Sequence, residues 1–125
     1  MSAPPACYPG RAPIEAYGNG GFRFAGMSHR GSILCLPSGI YAWPAARSED
    51  ISLATLAPAL TERDALDLLL IGSGRLGVMP AWDVRQSFAD LGVALESMDT
   101  GAACRTYNVL LAEARPIAAA LIAVD

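Results

Sequence analysis

Two continuous apolar runs, 68–71 (LLLI) and 117–124 (IAAALIAV), constrain this chain more than any other feature. Runs without polar alternation suit strands covered on both faces, and such strands belong to parallel sheets. Between them lie two stretches of helical period. Residues 80–92, PAWDVRQSFADLG, set Ala81, Val84, Phe88 and Leu91 on one helical stripe, with Pro80 at the expected first position. Asp83 falls in the first turn and Gly92 just past the end. Residues 93–98, VALESM, read as the next strand. Residues 100–115 read as a helix capped by Thr100, with Ala103, Tyr107, Leu110 and Ala114 on one face. Strand, helix, strand, helix, strand predicts a right-handed parallel βαβαβ unit.

The first half follows another period. IEAY (14–17) and FRF (22–24) flank the glycine-rich GNGG, and FRF puts Phe22 and Phe24 on one face with Arg23 on the other. GSILCLP (31–37) and GIYAW (39–43) meet at a turn that Pro37 and Gly39 suit. This predicts an antiparallel meander or paired hairpins. SLATLAPAL (52–60) is a short helical candidate weakened by Pro58. The proline-rich residues 1–13 are expected to form a flexible arm, and 14–125 a single α/β domain with an N-terminal antiparallel region and a C-terminal parallel unit.

Composition removes several function classes. A net charge of −3 with no lysine leaves no basic patch, which disfavours nucleic acid. The apolar run near the C-terminus is about half of the ~20 residues a membrane helix needs, so no direct membrane insertion is expected. The N-terminus lacks an apolar signal-peptide region, and a soluble cytoplasmic protein is expected. Cys7, Cys35 and Cys104 are odd in number and contain no C-x-x-C, and His29 is the only histidine. Neither a disulfide framework nor a metal site is expected, and no cofactor is called for.

The glycines Gly72, Gly74 and Gly77 copy the G-x-G-x-x-G of a dinucleotide-binding turn, and Asp99 could imitate its ribose-binding acid. That turn needs a helix that starts inside the motif, so that its N–H groups meet the pyrophosphate. Pro80 places the helix start after the glycines, so they are expected in a strand-to-loop turn instead.

In an open parallel sheet, ligands gather beyond the carboxyl ends of the strands. Two segments are expected there: Gly72, Ser73, Gly74 and Arg75, and Asp99, Thr100, Cys104, Arg105 and Asn108. Their glycines, hydroxyls and arginines would suit a small anion. Cys104, early in its helix, is the weak candidate for a catalytic nucleophile, because the helix dipole lowers a thiol pKa. Against this, free cysteines are among the most buried residues. His29 is the one available imidazole base and is expected as a solvated turn residue. Asn108 either ties its helix to a neighbouring loop or faces a ligand. Trp43 is expected in the core. Trp82 lies off the apolar stripe of its helix and is the candidate interface anchor.

At YGNGGFRF (17–24), GSILCLP (31–37), LLLIGSG (68–74) and above all DTGAACRTYNVLL (99–111), the chain resembles the Mth-like family of uncharacterised domains. That family includes the mitochondrial respiratory complex I assembly factor three and the adipogenesis-associated Mth-type domain protein. The resemblance spans residues 14–124, with Ser73 where the family usually has threonine and with the Arg75 position variable. It implies a three-layer α/β domain around a mixed central sheet. It implies assembly or protein interaction for the mitochondrial members, and it offers no catalytic residue to carry over. The expected function is therefore a non-enzymatic interaction or assembly factor, with a protein partner such as a respiratory or membrane-complex subunit, and homo-oligomer formation left open. The alternative is a protein that binds a small anionic ligand, or a thiol-dependent enzyme, using a cleft between 72–75 and 99–108.

Overall fold

The computed structural model describes residues 6–125. Its centre is a six-stranded mixed sheet. The expected parallel unit supplies β7 (Leu68–Gly72), α2 (Trp82–Asp90), β8 (Ala94–Met98), α3 (Thr100–Ala112) and β9 (Ile117–Leu121), with α1 (Ala57–Thr61) preceding it. Strand β7 pairs in parallel with β8 on one side and β9 on the other. The antiparallel hairpin β5 (Ile33–Leu36) and β6 (Gly39–Ala42) joins through β9, and β1 (Tyr8–Pro9) closes the far edge against β6. The spatial order is β1-β6-β5-β9-β7-β8.

The N-terminal antiparallel region is thus divided. Strands β2 (Ile14–Gly18), β3 (Gly21–Phe24) and β4 (Met27–Arg30) form a separate meander. It lies with α3 on one side of the central sheet, where Phe22, Phe24, Cys104 and Tyr107 pack with Cys35, Leu70 and Ile117. Helix α2 and the segment from Trp43 to Leu66 cover the other side, where Val84 and Phe88 pack with Leu34, Leu69, Ile71 and Ala120. Neighbouring residues of β7 and β9 therefore serve opposite cores, which is why both runs are apolar at every position. The result is three layers around one mixed sheet.

Several local expectations are corrected. The flexible-arm reading covered 1–13. Residues 1–5 lie outside those described, but from residue 6 the segment is held, since Tyr8 pairs with Ile40 and Ala12 is buried. Pro80 is buried before the helix rather than at its first position. The N-cap is Ala81, whose extended backbone (φ −56°, ψ 153°) precedes Trp82. Of the α2 stripe, Val84 and Phe88 are buried while Ala81 and Leu91 face solvent at the ends. Gly92 does stop this helix, at φ +77°. Ala114 falls beyond the end of α3 and is exposed. His29 is not in a turn: it pairs with Phe22 within the meander. Pro58 leaves α1 only five residues long.

Candidate functional site

The carboxyl ends of β7 and β8 lie side by side, so the two segments singled out in the sequence do meet. They meet as a packed seam. The Ser73 backbone N–H donates to the Met98 carbonyl at 2.9 Å, and the Thr100 N–H donates to the Gly74 carbonyl at 2.8 Å. The Thr100 hydroxyl accepts from the Gly74 N–H at 3.0 Å and donates to the Ile122 carbonyl at 2.7 Å. The Ser73 hydroxyl donates to the Leu76 carbonyl and accepts from the Val78 N–H, each at 2.7 Å. Ser73 and Thr100 are buried, and their hydroxyls are occupied within the protein.

The glycines follow from this closeness. A Cβ on Gly72 would stand 3.0 Å from the Thr100 Cα and 3.1 Å from the Ala103 Cβ. Gly74 adopts φ +106°, a left-handed conformation that glycine enters freely. The G-x-G-x-x-G pattern thus records a close approach of two loops.

Helix α3 is capped by Asp99 rather than Thr100: the Ala102 N–H donates to Asp99 Oδ1 at 3.0 Å. Thr100 is turned inward to link the seam to β9. Cys104 is buried beside the central sheet. Burial pushes its thiol from the ordinary 9.0 up to about 12, against the pull of Arg105 and with a further upward push from Asp99. Desolvation outweighs the helix dipole here, and the thiolate is disfavoured. Cys35 and Tyr107, in the same core, are pushed up for the same reason.

Arg75 and Arg105 are exposed. The Arg105 Nη1 donates to the Tyr17 hydroxyl at 3.3 Å, so this guanidinium turns toward the meander. Asn108 ties elements together. Its Oδ1 accepts from the Ile14 N–H at 2.8 Å and its Nδ2 donates to the Ile14 carbonyl at 2.9 Å. One side-chain amide thereby acts as a backbone partner for β2. Trp43 is in the core, its indole N–H donating to the Thr55 carbonyl at 2.7 Å. Among the described residues, no group of three or more His, Cys, Asp or Glu side chains could hold a metal ion.

Beyond Arg75, the large side chains that the loop after the seam exposes are apolar. Leu76 is 76% exposed, Met79 61% and Trp82 66%, with Val78 and Leu91 partly exposed as well. Folding the Ser73 hydroxyl inward holds the loop 73–81 in a turn that carries these side chains outward. The Ser97 hydroxyl also bonds the Val78 carbonyl, which pins the loop to β8. Beside it runs a groove of about 430 Å³ lined by Met79, Arg85, Ala89, Gly92, Val93, Ala94 and Leu95, along the open edge of β8. Trp82 was singled out in the sequence, but Leu76, Val78 and Met79 were not. Their signal is four apolar-or-glycine residues, LGVM, in a segment too proline- and glycine-bound to be an element.

Comparison with known proteins follows the same outline. The profile of a family described as a protein of unknown function (DUF498/DUF598) matches residues 14–122. The chain is 32% identical over 109 residues to the NADH dehydrogenase [ubiquinone] 1 alpha subcomplex assembly factor 3 of Xenopus tropicalis. That match covers 87% of this chain and 60% of the relative, so the chain spans about three-fifths of it. Among solved structures, one described as an outer membrane protein from Bartonella henselae superposes with a TM-score of 0.91 at 48% identity, covering 94% of this chain and 99% of that one. A Bordetella pertussis protein described as a Mth938-like domain superposes with a TM-score of 0.80 at 27% identity, covering 98% and 91%. Among the described residues, no helix is long and apolar enough to cross a membrane.

Proposed function

The chain belongs to the DUF498/DUF598 family of proteins of unknown function, and from that premise we propose that it is a non-enzymatic interaction module that docks a protein partner on the loop 73–81, α2 and the edge of β8. The observation that carries this reading is the group of large apolar side chains held in solvent there, with Trp82 at 66% exposure. Large exposed apolar groups on a soluble domain mark interaction surfaces, and tryptophan is enriched among residues that dominate binding energy. The name of the Xenopus tropicalis relative supports assembly work and points to subunits of a respiratory NADH dehydrogenase as the partners to try. The small-anion and thiol-enzyme alternative draws little support, because Ser73, Thr100 and Cys104 are buried with their polar atoms engaged or suppressed. A cytoplasmic location is part of the same proposal, and fractionation of the source cell tests it.

The deciding experiment is calorimetric titration of the folded protein with purified NADH dehydrogenase subunits. A specific complex is expected, weakened at least tenfold by Trp82→Ala, about 1.4 kcal/mol. Binding that Trp82→Ala leaves unchanged removes this surface from the reading, and no binding to any subunit removes the partner class.

A further inference from the structure

Of the three cysteines, Cys35 and Cys104 are buried and Cys7 is exposed. The exposed thiol has a companion. The Cys7 backbone N–H donates to the Ile40 carbonyl at 2.7 Å, which anchors it beside β1. His29 stands on β4, the outer strand of the meander, and is half-buried with its ring tilted against Phe24 at 6.3 Å. The two sheets bring the Cys7 Sγ to 3.8 Å from His29 Nδ1, across 22 residues of sequence. The only histidine of the chain is therefore in hydrogen-bond reach of its only exposed thiol. Two ligands do not hold a metal, and no third His, Cys, Asp or Glu joins them among the described residues.

We propose that Cys7 and His29 form a thiol–imidazole site for thiol–disulfide exchange with a low-molecular-weight disulfide, which the exposed Cys7 thiol meets from solvent. The imidazole takes the proton of the Cys7 thiol, and the thiolate attacks one sulfur of the incoming disulfide. A bond forms between Cys7 and that sulfur as the original S–S bond breaks. The departing thiolate leaves with the electron pair and takes up the proton held by His29. Cys7 ends oxidised as a mixed disulfide, and one half of the reactant ends reduced. The site lies at the β1 edge of the central sheet and the apolar docking surface at the β8 edge, so the two proposals stand independently.

The experiment treats the folded protein with glutathione disulfide and follows mixed-disulfide formation by intact mass, with peptide mapping to locate it. Modification is expected at Cys7 alone and is abolished by Cys7→Ser. His29→Gln, which keeps the bulk of the side chain, is expected to slow the reaction on the order of tenfold, below what positioned bases achieve in enzymes. His29→Ala is expected to be slow as well and to be accelerated by added imidazole more than the wild type is, an effect that a purely structural role would not produce. Modification at Cys35 or Cys104 instead of Cys7 overturns the proposal. So does a His29→Gln variant that reacts at the wild-type rate, or a slow His29→Ala variant that imidazole does not rescue.

Discussion

Asn108 shows how one side chain can settle a question of role. By sequence alone, this amide either holds a loop or faces a ligand. Both of its functional groups are engaged with the backbone of Ile14, which joins α3 to the first strand of the meander. Asn108→Ala leaves a strand N–H and carbonyl without their partners, and is expected to destabilise the protein by roughly 1–3 kcal/mol in urea unfolding. Faster hydrogen exchange at the Ile14 amide is the local signature. An unchanged midpoint would mean that water replaces the amide without loss. Cys104 makes a second residue-scale case. Folding raises its thiol pKa from 9.0 to about 12, so the folded state disfavours the charged form. The associated stability is complete below pH 9 and is lost as pH climbs from there through about 12. Thermal midpoints are expected to fall on going from about pH 8 to about pH 10.5, and to fall less in Cys104→Ala. Cys35 and Tyr107 are shifted in the same direction, so part of the fall survives that substitution.

At the scale of elements, the seam between the β7 end and the α3 start decides what this edge of the sheet does. The Thr100 hydroxyl serves Gly74 on one side and Ile122 on the other, so a single side chain joins the start of α3 to the ends of β7 and β9. Thr100→Val keeps the shape and removes both hydrogen bonds, and a loss on the order of 2 kcal/mol is expected by chemical denaturation. Asp99→Ala removes only the helix cap and should cost about 1 kcal/mol. Gly72→Ala introduces a methyl group where Thr100 and Ala103 already stand at about 3 Å, and overpacking of this kind typically costs 1–3 kcal/mol. If Gly72→Ala proves neutral, the two loops are less tightly joined than these contacts indicate. The helix boundaries were legible only in part. Gly92 marked the end of α2 because its left-handed conformation is a local requirement. The starts differ by a residue or two from those the sequence predicts: Pro80 is buried ahead of α2, and Thr100 is the first residue of α3 with its hydroxyl turned to Ile122 while Asp99 caps the helix.

The whole molecule separates a stable interior from a surface that stability does not explain. Trp82 contributes little to the core from its exposed position, so Trp82→Ala should shift folding stability by no more than about 0.5 kcal/mol while disrupting partner binding. A large drop in thermal midpoint instead would place Trp82 in the core and end its role as an anchor. By itself, the residue pattern determined an α/β domain with an antiparallel first half and a parallel βαβαβ unit, and the three layers were what the family resemblance implied. Apolar runs such as 68–71, short and ended by glycine, suit a strand buried on both faces. The alternation of Phe22, Arg23 and Phe24 likewise fixed a half-buried strand. Three matters were decided only in tertiary structure. The antiparallel strands could pair among themselves or with β9, and strand partnership depends on contacts remote in sequence. The polar residues 72–75 and 99–108 could enclose a ligand or bond to one another, and only their separation in space chooses; they bond to one another. Cys7 and His29, unremarkable where they stand in the chain, become a pair because the edges of two sheets bring them within 3.8 Å. Local chemistry sets which segments must be buried, whereas the meeting of distant polar groups depends on how the buried segments stack.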